Sequence, residues 1–306
     1  MEYILKINNL SKNYKQFKAL DNLTMQVPKG SIYGFIGKNG AGKTTLIRII
    51  CGLQYPTSGE FELYNIKNTS KEIAKARRKM GAVIETPSIY LDMTAEDNLQ
   101  QQYRILGLSN FDGLQEILAL VGLENTGKKK ARNFSLGMRQ RLGIAIALCG
   151  NPEFLVLDEP INGLDPQGII EMRELILKLN HEQNITVFIS SHILDELSKL
   201  ATHYGFIDKG RIIREMSAKE LENSCRKCVR MTVTNINILT KILDKKSIAY
   251  RILDNNINII DVYAKLNFTQ FAMELAKENC EIISMNEHDE SLESFYISLV
   301  GGAEHV

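Results

Sequence analysis

The chain has 306 residues, of which 44% are hydrophobic and 24% charged, and its formal charge is +1 from 37 basic and 36 acidic side chains. That length holds one large domain and a small one, the composition is that of an ordinary soluble globular protein, and the near-neutral balance excludes a nucleic-acid binder that works through a global basic field. The five cysteines, Cys51, Cys149, Cys225, Cys228 and Cys280, are odd in number and scattered, which fits a reducing compartment, the cytoplasm, better than a disulfide framework. Residues 1–6 lack a basic segment followed by an apolar one, and the longest apolar run, 142–149, is too short to span a bilayer, so any membrane role needs a partner.

Residues 3–8 and 20–27 read as strands joined by a polar, turn-rich segment 9–18, and 59–64 as a third strand. Tyr14 lies in that polar segment, where an exposed ring is able to stack on a base. Ile32-Tyr33-Gly34-Phe35-Ile36 is a short buried strand, and Leu46, Ile49, Ile50 and Leu53 recur at helical spacing. Between them stands Gly37-Lys38-Asn39-Gly40-Ala41-Gly42-Lys43-Thr44-Thr45, a glycine, four residues, then Gly-Lys-Thr. Glycines 37, 40 and 42 let the backbone take positive φ and turn its N–H groups inward, a phosphate cradle at the positive end of a helix starting near Lys43. Lys43 is placed to reach the β and γ phosphates, Thr44 to offer its hydroxyl to Mg2+, and Thr45 to donate near the α phosphate.

Residues 70–79 read as a helix of mixed charge and 80–84 as a strand ending at Glu85-Thr86-Pro87. Thr94 with Asp97 forms a capping box, 114–121 is a further helix, and 88–150 is mostly helical, with the loop 86–93 and Tyr90 at its surface. The basic run Lys128-Lys129-Lys130 with Arg132 reads as a solvated face. Ser135 is the N-cap of a helix reaching Leu148. Residues 154–159 form a buried strand ending in Asp158 and Glu159. Beside a phosphate cradle, the first carboxylate holds Mg2+, and the second is placed to orient or deprotonate a water attacking the γ phosphate. After the turn Asn162-Gly163-Leu164-Asp165-Pro166 come a helix to about Asn180 and a strand, 185–190, that ends in Ser191-His192. His192, level with the carboxylates, is in reach of the γ phosphate; His181, His203, His288 and His305 have no such context.

Taken in order, these motifs resemble the ATP-binding subunits of ATP-binding-cassette (ABC) transporters over residues 3 to about 215. Tyr14 falls where that family stacks adenine, 37–45 matches its Walker A loop, Ser135-Leu136-Gly137-Met138 its signature, 154–159 its Walker B strand, 162–165 its D-loop with Asp165, and His192 its switch histidine. Leu136 and Met138 depart from the usual Gly and Gln of the signature, and Glu85 stands where the family has the Gln that links metal and water to the helical subdomain. The Glu85–Tyr90 run, with Phe134-Ser135-Leu136-Gly137-Met138-Arg139-Gln140-Arg141, looks like the branch serving bacitracin resistance and lantibiotic self-immunity.

The resemblance implies an α/β fold: a P-loop cassette with a RecA-like core, an antiparallel β subdomain and a helical subdomain over about 88–150. It implies an ATPase, with ATP and Mg2+ as cofactors, metal contacts from Thr44, Asp158 and Glu85, and catalysis by Glu159 with His192. It further implies a head-to-tail homodimer on ATP binding, in which Ser135 and Gly137 of one copy close the cradle of the other. Separate integral membrane permease subunits, no nucleic acid, a cytoplasmic place on the inner face of the membrane, and export of a peptide antibiotic or drug complete the expectation. The competing reading is a soluble cassette ATPase acting on ribosomes or DNA. Ribosome-acting relatives usually carry two cassettes, whereas one cradle and one signature stand here, and no heptad-patterned insert of the DNA-repair type separates them. The motif order also excludes most P-loop kinases and GTPases.

Past Arg214 the chain leaves the cassette, giving expected domains 1–215 and 216–306. Ser217 with Glu220 is a capping box; strands at 229–234, 248–253, 257–263 and 281–285 and helices at 236–245 and 268–279 follow in the order βαββαβ, a small α+β domain of ferredoxin-like type. Cys225 and Cys228 form a CxxC without a second ligand pair, a weak zinc signal.

Overall fold

The computed structural model describes residues 2–108, 110–224, 227–254, 258–263, 268–289, 295, 296 and 299. Alternation of apolar and polar residues starts the chain as a hairpin of β1 (Tyr3–Tyr14) and β2 (Phe17–Pro28), with Leu5, Ile7 and Leu10 of one strand and Leu20, Leu23 and Met25 of the other turned inward. The strands run through most of the expected turn-rich segment 9–18, and the turn shrinks to Lys15 and Gln16. Polar residues hold this extension by cross-strand bonds, Asn22 N donating to Ser11 Oγ at 2.9 Å, while Asn9 absorbs a register shift in the left-handed region at φ 48°.

The first unit continues through β3 (Ile32–Ile36), α1 (Lys43–Ile50), β4 (Ser58–Leu63), β5 (Ile66–Lys67), α2 (Ile73–Arg77), β6 (Met80–Val83), α3 (Ala95–Leu106), α4 (Leu114–Leu120), α5 (Leu136–Leu148), β7 (Phe154–Asp158), α6 (Pro166–His181), β8 (Thr186–Ser191), α7 (Leu194–Ser198), β9 (His203–Asp208) and β10 (Arg211–Ser217). One sheet is antiparallel, in the order β2-β1-β4-β5; the other, β10-β9-β3-β8-β7-β6, is parallel from β9 to β6. Every residue of β3, β7 and β8 is buried, as the near-continuous apolar runs of a doubly covered parallel sheet require. The capping box of Thr94 and Asp97 opens α3 with both of its bonds present. Helix α2 is shorter than the expected 70–79 because the chain must enter β6 at Met80; Arg77 at its end donates to the free carbonyl of Ile50 at the end of α1, at 2.9 Å. Leu53 lies beyond the end of α1 and is exposed.

The chain divides into two compact units, 1–218 and 219–306. After α8 (Ala218–Ser224), the second unit contains β11 (Lys227–Val233), α9 (Ile236–Lys245), β12 (Tyr250–Asp254), β13 (Ile259–Val262), α10 (Phe268–Lys277) and β14 (Ile282–Asp289). Its antiparallel sheet has the order β12-β13-β11-β14. Leu239 and Leu243 of α9 and Phe271 and Leu275 of α10 share a core with Met231 and Ile260 of the sheet. Across β11 and β13, Arg230 grips Asp261 through two bonds of 2.8 and 2.9 Å. Of the CxxC, Cys225 lies outside the described residues and Cys228 is buried in β11.

One carboxylate ties the two sheets of the first unit together: Glu215 Oε1 of β10 accepts from the Tyr33 hydroxyl of β3 at 2.6 Å and from Gln26 N of β2 at 3.0 Å. Desolvation raises its pKa above the ordinary 4.5, outweighing both hydrogen bonds. The folded chain therefore holds this proton more tightly than the unfolded one, so the stability it contributes is whole below the unfolded pKa and is lost as pH rises through the folded value. Glu215→Gln, which keeps an acceptor but does not ionise, is expected to gain on the parent in denaturant midpoint as pH rises from the acidic range to neutrality; parallel pH profiles would contradict this.

Candidate phosphate-binding site

Strand β3 delivers the chain at Ile36 into the glycine loop, where Gly37 N donates to Ser191 O at 3.3 Å and so ties the loop to the end of β8. A Cβ on Gly37 would stand 2.7 Å from Ile207 O, and Gly42, the N-cap of α1 at φ 112°, would drive one to 2.6 Å from Ala19 O. These close approaches require glycine. Ala41 is buried in the loop, Asn39 and Gly40 lie exposed at its tip, and Thr44 and Thr45 are half-buried in the first turn of α1. Lys43 is only 6% exposed. Its ammonium donates to Gly37 O at 2.5 Å and Lys38 O at 3.3 Å, and lies 3.2 Å from Glu159 Oε1.

The parallel register sets Asp158 of β7 opposite Ser190 of β8. Ser190 Oγ donates to Asp158 Oδ1 at 2.5 Å and accepts from Glu159 N at 3.0 Å, while Thr44 Oγ1 donates to Asp158 Oδ2 at 2.9 Å. Each oxygen of this buried carboxylate thus has its own hydroxyl donor. Glu159 sits in the left-handed region at φ 51°, a strain on the order of 1–2 kcal/mol for a residue with a Cβ. That turn sends its two oxygens to different partners, Oε1 to Lys43 and Oε2 to His192 Nδ1 at 2.9 Å.

The site fits a triphosphate with Mg2+. A Thr hydroxyl beside a single buried carboxylate is an all-oxygen donor pair of the kind Mg2+ uses when phosphate and water oxygens fill the remaining positions.

The other expected residues lie outside this cluster. The Tyr14 hydroxyl donates to Gln54 Oε1, and its half-exposed ring has the Lys12 ammonium 5.2 Å from its centre. Glu85, at φ 57°, pairs with Arg48 at 2.7 Å rather than with Thr44 or Asp158. Ser135 Oγ caps α5 by accepting from Met138 N at 3.2 Å, and a Cβ on Gly137 would meet only Leu164 Cδ2, at 3.8 Å. Asp165 caps α6, accepting from Gly168 N at 3.1 Å. Sequence reading missed Ser190, Arg48 and Gln54; Ser190 becomes visible only once the register of β7 and β8 is known.

Ser190→Ala leaves Asp158 Oδ1 buried without its donor, and a loss of about 1–3 kcal/mol in unfolding free energy is expected. Chemical denaturation measures it, and a variant as stable as the parent would remove Ser190 from this role.

A family model described as ABC transporter matches residues 20–162. The bacitracin transport ATP-binding protein BcrA of Bacillus licheniformis is 40% identical over 303 residues, 99% of either chain. The lantibiotic transport ATP-binding protein SrtF of Streptococcus pyogenes is 44% identical over 220 residues, 72% of this chain and 93% of its own. Among solved structures, the dimeric post-hydrolysis state of the ATP-binding cassette MJ0796, bound to ADP and phosphate, is 28% identical and covers 70% of this chain and 98% of that one at a TM-score of 0.62. A glycine cradle and paired strand-end carboxylates on a parallel sheet, in a chain with relatives this similar, lead to one family: the chain belongs to the ATP-binding subunits of ABC transporters, ATPases whose hydrolysis of ATP is coupled to transport.

Proposed function

We propose that Glu159 is the catalytic base and His192 its partner at the γ phosphate. The observation that carries this reading is the chain Lys43–Glu159–His192 lying beside Thr44–Asp158 at one end of the parallel sheet. Triphosphate oxygens would take the place of Glu159 as partner of Lys43, leaving the carboxylate to orient a water in line with the γ phosphorus and accept its proton. His192, already bonded to the same carboxylate, holds its orientation. Thr44 and Asp158 would hold Mg2+, whose charge stabilises that developing on the phosphate oxygens. Gly37, Asn39, Gly40, Ala41, Gly42 and Thr45 supply the backbone and hydroxyl donors of the cradle, Tyr14 the adenine contact, and Asp165 a contact at the dimer seam.

The second half of each site is assigned to another copy of the chain. Ser135 and Gly137 stand at the open N-terminus of α5, and a glycine with free space where a side chain would be permits close approach to a phosphate. The loop 86–93 is assigned to a separate membrane permease. Tyr90 and Leu91 are exposed there, while buried Asn98 fixes the loop, accepting from Tyr90 N at 2.7 Å and donating to Tyr90 O at 3.0 Å. A loop held this firmly is suited to passing on a movement of the helical subdomain.

We assign export of a peptide antibiotic of bacitracin or lantibiotic type, from a cytoplasmic position on the inner face of the membrane. The names of the relatives support this, and the likeness to the bacitracin protein extends over the accessory unit as well. No helix among the described residues is long and apolar enough to cross a membrane, so the path belongs to the permease. The order β12-β13-β11-β14 around two helices supports the ferredoxin-like reading of the second unit, and the two compact units support a cassette that folds without residues from about 216 onward. Expression with its permease in a sensitive host should raise bacitracin or lantibiotic tolerance, and Lys43→Ala should abolish the gain; unchanged tolerance would refute the substrate assignment.

Glu159→Gln removes the base and keeps cradle and metal contacts, so an ATP-bound dimer should accumulate with hydrolysis reduced by about 100-fold or more. Gel filtration with ATP and Mg2+ detects it. A monomeric variant hydrolysing at the parent rate would take Glu159 out of the reaction.

A further inference from the structure

Glu85 carries a charge at a place where the site has the least use for one. Strands β6 and β7 run parallel and pair in register from Met80 with Phe154 to Val83 with Leu157, so Glu85, two residues past the last pair, leaves the same end of the sheet as Asp158 and Glu159. Three carboxylates, Glu85, Asp158 and Glu159, therefore emerge at one sheet end, and a triphosphate adds further negative charge. Each has its own partner: hydroxyls for Asp158, Lys43 and His192 for Glu159, and Arg48 for Glu85. Arg48 lies on α1 four residues after Thr44, one helical turn, about 6 Å, further from the cradle.

We infer that Arg48 is a positioning residue that draws the Glu85 carboxylate down α1 and away from the phosphates. This rests on the nucleotide reading of the site. The left-handed φ of 57° at Glu85 turns the chain there, and the 2.7 Å ion pair decides which way its side chain goes. With Arg48 uncharged, Glu85 is released toward the cradle. Its repulsion then falls on ATP without metal, and far less on ATP with Mg2+, where the attraction of the divalent ion offsets it. Both side chains are partly exposed, 38% for Arg48 and 57% for Glu85, so solvent screening holds the effect to roughly three- to tenfold in affinity.

Calorimetric titration of the full chain with ATP, once with EDTA and once with excess Mg2+, tests this in the parent, Arg48→Gln, Arg48→Lys, Glu85→Gln and the double variant Arg48→Gln/Glu85→Gln. Metal-free ATP affinity should fall roughly three- to tenfold in Arg48→Gln, return in Arg48→Lys, and change less than about twofold when Arg48→Gln is added to Glu85→Gln. Affinity with Mg2+ should stay within about twofold throughout. Plain loss of a positive charge would weaken binding equally in both backgrounds; that result, or no effect of Arg48→Gln in a parent that binds ATP, overturns the inference alone. A parent that binds ATP in neither condition overturns the nucleotide reading with it.

Discussion

A buried ammonium must be given partners, and the first unit is arranged around giving them to Lys43. Left alone in a site this dry it would be strongly destabilising, and breaking a buried ion pair costs about 3–5 kcal/mol. Its partners come from separate parts of the chain: the carbonyls of Gly37 and Lys38 from the loop after β3, and the carboxylate of Glu159 from the end of β7. Gly37 and Glu159 are both fixed by β8, through Ser191 O for Gly37 N and through Ser190 Oγ for Glu159 N. Three adjacent parallel strands must therefore end level with one another, and the fully buried β3 and β7 let the sheet core enforce it.

On the reading proposed here, the same arrangement makes one copy of the chain a balanced but unfinished site. Its carboxylates are paired within the chain, Asp158 with the hydroxyls of Thr44 and Ser190, Glu159 with Lys43 and His192, and Glu85 with Arg48. Ser135 and Gly137 bond to or face their own α5 and Leu164 and contribute nothing to the cradle of the same chain. On the reading proposed here, ATP exchanges the internal partners of Lys43 for phosphate oxygens and presents the remaining phosphate surface to a second copy.

What was legible in the sequence was what local sterics dictate. Gly37 and Gly42 have to be glycine because backbone oxygens occupy the space of a side chain, and that need is written in the loop itself. The carboxylates at the end of β7 and the succession of strands and helices after residue 226 follow from short apolar runs and their periods. What stayed hidden depends on distant partners. The polar residues 9–18 read as a turn because the bonds that make them strand, such as Asn22 N to Ser11 Oγ, cross the hairpin. Ser190 is an unremarkable serine until the register sets it opposite Asp158, and the ion pair of Glu85 with Arg48, 37 residues earlier, is not written in the local sequence. On the reading proposed here, the roles of Ser135 and Gly137 belong to an encounter between two chains, which no single chain displays.

If two copies must meet to complete each site, ATP hydrolysis depends on protein concentration. With saturating ATP and Mg2+, a site completed by a second copy predicts a rate that rises as the square of protein concentration while monomers predominate, becoming linear once the dimer is filled. A rate strictly proportional to concentration, in a range where light scattering finds only monomers, would mean that one chain hydrolyses ATP alone and would contradict the account.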